Sequence, residues 1–257
     1  MTGNPKLYKY LDVDGGLKML RNSNLQFTNA TRLNDPFDCH PALFDFTNAP
    51  EYPNNWPPKD FRIAKGKLDT KNLRNRAWIC SLSKIHDSLP MWSYYCSNHK
   101  GVCIGLDMEK VSTYLSKIQC GIYIGHTEME VQYRDVIDKP SFFGGTKNAF
   151  RYQLSTKAKA WEHEQEVRLI LEDPSYGYVP MLLNRQPKSN EVVDCKELRV
   201  YPYLGPECFD SVYLGINMEP EIREIIIAEA RKCNPDIKIY QMTINPDAFR
   251  LKEEMIK

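Results

Sequence analysis

The spacing of hydrophobic and polar positions changes repeatedly along the chain. Leu7 to Leu11 reads as a short aromatic-rich strand, and Leu25-Gln-Phe-Thr alternates as a second. Gly15 and Gly16 punctuate the interval, and Leu17 to Asn22 offers a short helix with Leu17 and Leu20 on one side. Residues 77–83, 101–107, 164–172, 208–216 and 237–243 read as further strands. Ser88 can cap a helix that carries Pro90 in its first turn. Met108 to Lys117 and Lys147 to Lys159 read as helices. So does Glu219 to Cys233, acidic at its start and closed by Arg231-Lys232, as the helix dipole favours. Residues 119 to 134 should hold two strands separated near Gly125-His126, and residues 173 to 194 a loop-rich hairpin or insertion.

Residues 45 to 75 differ from the rest. Pro50, Pro53, Pro57 and Pro58 break any regular element and polar side chains dominate, which predicts an excursion or lid. Strands and helices mix without strict alternation. The expected fold is therefore a single α+β domain over residues 1–257, with that excursion at about 45–75.

Composition narrows the function classes. A net charge of +1 gives no overall pull on nucleic acid or an anionic membrane. No apolar run approaches the roughly 20 residues of a transmembrane helix, and Met-Thr-Gly-Asn-Pro-Lys is not a signal peptide. The eight cysteines form no Cys-x-x-Cys pair and read as reduced core residues of a cytoplasmic protein; the histidines have no metal-ligand spacing, so no metal is expected. Neither Gly-x-Gly-x-x-Gly nor a P-loop occurs.

Four constellations could carry chemistry. In a strand, Glu164, Glu166 and Arg168 share one face, while Val167 and Leu169 point the other way. Adjacent carboxylates raise one another's pKa and a guanidinium lowers it. Such a row can bind ribose hydroxyls and stabilise an oxocarbenium-like cation; the same spacing fits an ion-pair row on a solvent-facing sheet equally well. Ser81 and Ser83 share a face at the end of another strand, placed either to bind a ligand or to serve a turn. Trp92 and Tyr95 fall on one side of a helix, as core residues or as a stacking platform. Asn34-Asp35-Pro36-Phe37-Asp38 makes a rigid turn, either a structural corner or a loop aiming polar groups into a cleft.

Together and in this order, these pieces resemble a bacterial family of domains of unknown function, number 2971. Its marks here are Tyr8-Lys9-Tyr10, Asn34 to Asp38, Met91 to Tyr95 with Gly101 to Gly105, and Trp161 to Arg168, so the resemblance spans residues 7 to 216. That family in turn is similar to the ADP-ribosyltransferase superfamily, through a first strand, a Ser-x-Ser strand and a later Glu-x-Glu strand. The resemblance implies an ADP-ribosyltransferase-like fold with a mixed or antiparallel split sheet and flanking helices. It also implies an enzyme that consumes NAD as substrate, in phage defence or as a toxin effector, with a protein or nucleic-acid acceptor. Glu166 would then hold the nicotinamide ribose and Glu164 would orient the acceptor. Tyr8, Lys9, Tyr10, Asn34, Asp35, Ser81, Ser83, Trp92, Tyr95 and Arg168 would surround the substrate. The chain departs from the usual arginine-serine-glutamate pattern, because its first strand has no Arg and Lys9 cannot make the same bidentate contacts. A non-catalytic nucleotide or nucleic-acid binding module on the same scaffold is the alternative.

Overall fold

The computed structural model describes residues 5–52, 56–117, 119–120, 123–124, 126–172, 192–194 and 198–256. The strands are β1 (Lys6–Leu11), β2 (Phe27–Asn29), β3 (Ala77–Ser83), β4 (Val102–Asp107), β5 (Gln119–Cys120), β6 (Tyr123–Ile124), β7 (Thr127–Glu130) and β8 (Gln132–Arg134). They continue as β9 (Thr156–Ala158), β10 (Glu166–Glu172), β11 (Val192–Asp194), β12 (Arg199–Tyr201), β13 (Phe209–Leu214), β14 (Lys238–Ile244) and β15 (Leu251–Met255). The helices are α1 (Val13–Asn22), α2 (Lys59–Arg76), α3 (Leu89–Tyr95), α4 (Met108–Leu115), α5 (Thr146–Ser155) and α6 (Pro220–Cys233).

Eleven strands form one mixed sheet in the order β11-β12-β2-β3-β1-β4-β13-β14-β15, with β10 also on β3 and β7 beyond β10. The β13–β14 pair is parallel, while the others of that sheet are antiparallel among the described residues. The mixed character agrees with the sequence reading.

The sheet forks at β3. One edge of β3 pairs with β10 along its whole length, from Ala77↔Glu172 to Ser83↔Glu166. The other edge is shared: β2 takes Trp78 and Ile79, and β1 takes Ser83. Ser81 lies between the two branches, and Lys9 Nζ of β1 donates to its carbonyl across the gap at 2.9 Å.

The two faces of the sheet carry different cores. On one, Leu7, Leu82, Ile104, Val167 and Leu169 pack beneath α1, α4 and α6. On the other, α3 covers a cluster around Trp92, Tyr10 and Tyr213, while α2 and α5 cover another around Leu73, Leu154 and Ile170. Among the described residues, no helix is long and apolar enough to cross a membrane, and no group of His, Cys, Asp and Glu could hold a metal ion.

Several sequence expectations are corrected. Gly15 and Gly16 lie inside α1, where a Cβ at Gly16 would collide with Val102 of β4. Most of the predicted excursion is α2, an 18-residue helix. The helix expected to run through Lys159 ends at Ser155, after which Thr156–Ala158 turns to strand. Ser88 stands at the N-cap of α3 but makes no side-chain cap; its hydroxyl donates to the carbonyl of His163 instead. Residues 119–134 hold four short strands rather than two. The expected hairpin or insertion at 173–194 falls mostly outside the described residues.

Candidate functional site

The strand predicted from Glu164 begins two residues later. Lys159–Glu164 forms a 3-10 turn, and Gln165 takes a left-handed conformation, φ 44° and ψ 52°, before β10 starts at Glu166. A side chain such as Gln takes that conformation at a cost of about 1–2 kcal/mol. The turn is held from both sides: Gln165 N–H donates to Glu162 O, and Lys84 N–H donates to Gln165 O. The two carboxylates therefore do not share a strand face. They converge from opposite ends of the turn on one ammonium, Lys157 of β9, at 2.5 Å from Glu164 Oε2 and 3.1 Å from Glu166 Oε2.

Glu166 and Arg168 do share a face, and that face is dry. Arg168 is 0% exposed, Asp38 2%, Glu166 3% and Glu164 4%. This excludes a solvent-facing ion-pair row. Arg168 spends all five guanidinium hydrogens. Nε reaches Glu166 at 2.9 Å, Nη1 reaches Asp38 and the carbonyl of Leu154, and Nη2 reaches Asp38 and Glu166. Asp38 is delivered by the Asn-Asp-Pro-Phe-Asp turn, which Asp35 braces by accepting from the Phe37 N–H at 2.9 Å.

Glu166 and Lys157 hold one another in the charged form. Burial raises the pKa of Glu166, but Arg168 and Lys157 outweigh it and hold that carboxyl far below the usual carboxylate range. Burial lowers Lys157, but Glu166 and Glu164 outweigh it and hold the ammonium above its ordinary value. Tyr95 is pushed up by burial and by its 2.7 Å hydrogen bond to Glu164 Oε1, so it remains a donor. Tyr133, pushed up to about 12 chiefly by burial, accepts from the Glu166 N–H at 2.8 Å. Three carboxylates thus face two cations, which leaves one carboxylate in excess.

The cluster forms one end of a cavity of about 560 Å³ that opens through the fork in the sheet. Of the residues singled out from sequence, Tyr8, Lys9, Tyr10, Asn34, Ser81 and Ser83 line it, together with Tyr95, Glu164 and Glu166. Three do not reach it. Trp92 is fully buried in the core under α3, with its indole N–H on His86 O. Asp35 is buried in its turn, and Arg168 lies behind Glu166. Lys157 and Asp38 line the cavity although sequence reasoning did not select them. Asp38 stood inside a selected motif and could have been added; nothing in the chain marks Lys157.

Residues 91–169 match a family described as "Protein of unknown function (DUF2971)". The matched stretch runs from α3 into β10, so it contains Tyr95, Lys157, Glu164, Glu166 and Arg168, while β1, the Asn34–Asp38 turn and β3 precede it. No curated protein and no solved structure matches the chain.

Proposed function

We propose that the cavity binds a nucleotide of the NAD type and that the protein is an ADP-ribosyltransferase-like enzyme. One observation carries this reading. The first strand, the Ser-x-Ser strand and the Glu-x-Glu turn, far apart in sequence, converge on one cavity, and at its Glu164 end three carboxylates, Asp38, Glu164 and Glu166, are ion-paired with only two cations, Lys157 and Arg168. In a partly dry site, that excess favours a positive charge developing on a ribose ring more than water would. In the reaction, the bond between ribose C1′ and the nicotinamide nitrogen breaks, and its electron pair leaves with nicotinamide. A lone pair of the acceptor then bonds to C1′, and the acceptor's proton is released.

The division of labour differs from the one implied by resemblance. Glu166 is bonded by Arg168 twice and by Lys157. Glu164 has one partner on each oxygen, Tyr95 and Lys157, and so keeps lone pairs for a ribose hydroxyl. On this reading Glu164 touches substrate and Glu166 fixes Lys157 and the local charge. Incubation with NAD and candidate protein and nucleic-acid acceptors tests it. Nicotinamide release should fall about 100-fold or more in Glu164→Gln, the usual scale for losing one charge-stabilising group.

The saturated state of Glu166 also favours a second reading, a module that binds nucleotides without turnover. Calorimetry separates the two. NAD binding without nicotinamide release selects the module, and no nucleotide binding at all removes both.

A further inference from the structure

The end of the cavity opposite the carboxylates has another chemistry. It is lined by Arg199 and Tyr201 of β12, Thr28 of β2 and Lys18 of α1, and Arg32, two residues before the Asn34 that donates to Tyr95, lines the wall toward the carboxylates. Two of the lining carboxylates are engaged: Asp14 holds Lys18 at 2.6 Å, and Asp12 caps α1 by accepting from the Gly15 N–H. Arg32 and Arg199 form no ion pair with a described side chain, and the residue opposite Arg199 in the β11–β12 ladder is Asp194. Arg199 Nε is buried and finds no hydrogen-bond partner among the described residues. Arg199 as a whole is half-buried, so its guanidinium is open to the cavity, and that group matches the paired oxygens of a phosphate.

The sheet register gives the distance between the two ends. Arg199, Thr28, Ile79 and Ile170 are successive ladder partners, so their side chains share one sheet face with Glu166. Three strand spacings of about 4.8 Å separate β12 from β10, and Glu166 lies four residues, about 13 Å, along β10 from Ile170. The backbones at the two ends are therefore about 20 Å apart. Even with side chains reaching inward, a single small anion cannot touch both ends, whereas an extended phosphorylated molecule can.

We propose that Arg199 and Arg32 form a phosphate-binding subsite, and that the ligand of this cavity is an extended diphosphate whose sugar end lies at Glu164. The subsite extends the function proposed above without requiring that NAD be the ligand.

Calorimetry on the full chain tests it with two probes, inorganic pyrophosphate and NAD, on wild type, Arg199→Gln and Arg32→Gln. Arg32 is exposed, so its replacement leaves the core untouched and serves as the control against misfolding of the Arg199 variant. Pyrophosphate should bind wild type, weaken at least fivefold in each variant, and weaken further with added salt. Failure of wild type to bind pyrophosphate, or less than a fivefold change in both variants, overturns the subsite. Pyrophosphate binding that depends on the arginines, with no NAD binding, keeps the subsite and removes the NAD reading. NAD binding and turnover with pyrophosphate indifferent to both arginines does the reverse.

Discussion

The two faces of β10 are equally dry and, over residues 166–169, chemically opposite; Ile170 continues the charged face as a buried apolar residue. Val167, Leu169 and Leu171 lie at 2%, 0% and 1% exposure on one face; Glu166 and Arg168 lie at 3% and 0% on the other. Burying each apolar side chain contributes about 1.5–3 kcal/mol. Burying each ion costs several kcal/mol of hydration, which good geometry offsets only in part. Hydrophobic residues of similar volume would serve the charged face as well or better for stability alone. The charged face therefore makes sense through what it presents to the cavity, and the apolar face through what it holds together.

The largest test of this contrast sets neighbours on opposite faces against each other. Arg168→Met leaves Glu166 and Asp38 buried without their shared cation, and should cost about 3–5 kcal/mol in urea unfolding. Leu169→Ala should cost about 2–4 kcal/mol through the cavity it leaves. The decisive variant replaces Asp38, Glu166 and Arg168 together with Leu, Leu and Met. It should return to within about 1 kcal/mol of wild type while losing ligand binding. A triple variant as unstable as Arg168→Met alone would show that the charged face is structural after all.

Acid sharpens the contrast further. The folded pKa of Glu166 is depressed, so its contribution is fully present above the unfolded glutamate value of about 4.3 and is lost as pH falls below it. Glu166→Gln should lower stability at pH 7 and flatten the acid limb of the stability curve. Leu169→Ala should shift the curve down without changing its slope. The smallest effect belongs to the turn between the carboxylates. Gln165→Gly relieves the left-handed backbone and should raise the melting temperature slightly, by less than about 1 kcal/mol in stability.

Much of this was legible in the sequence. Strands such as Ala77–Ser83 and Val102–Asp107 announce themselves through apolar and β-branched residues, and the parity of Glu166 against Val167 follows from the strand period. Glu164 was misplaced because nothing in Gln165 marks it for a left-handed turn; a glycine there would have. α2 was missed because its buried stripe, Arg62, Gly66, Thr70 and Leu73, has helical spacing but only one large apolar member. Lys157 was invisible because its partners are set by a turn and a ladder, not by any local pattern.

The fork at β3 also has a kinetic signature. Ser81 turns its carbonyl to Lys9, so its N–H points into the same gap, whereas Cys80 and Leu82 turn theirs toward β10. In deuterium the Ser81 amide should exchange faster than either neighbour. A ligand seated in the fork should slow it, so a single amide in the middle of the sheet would report whether the cavity is occupied.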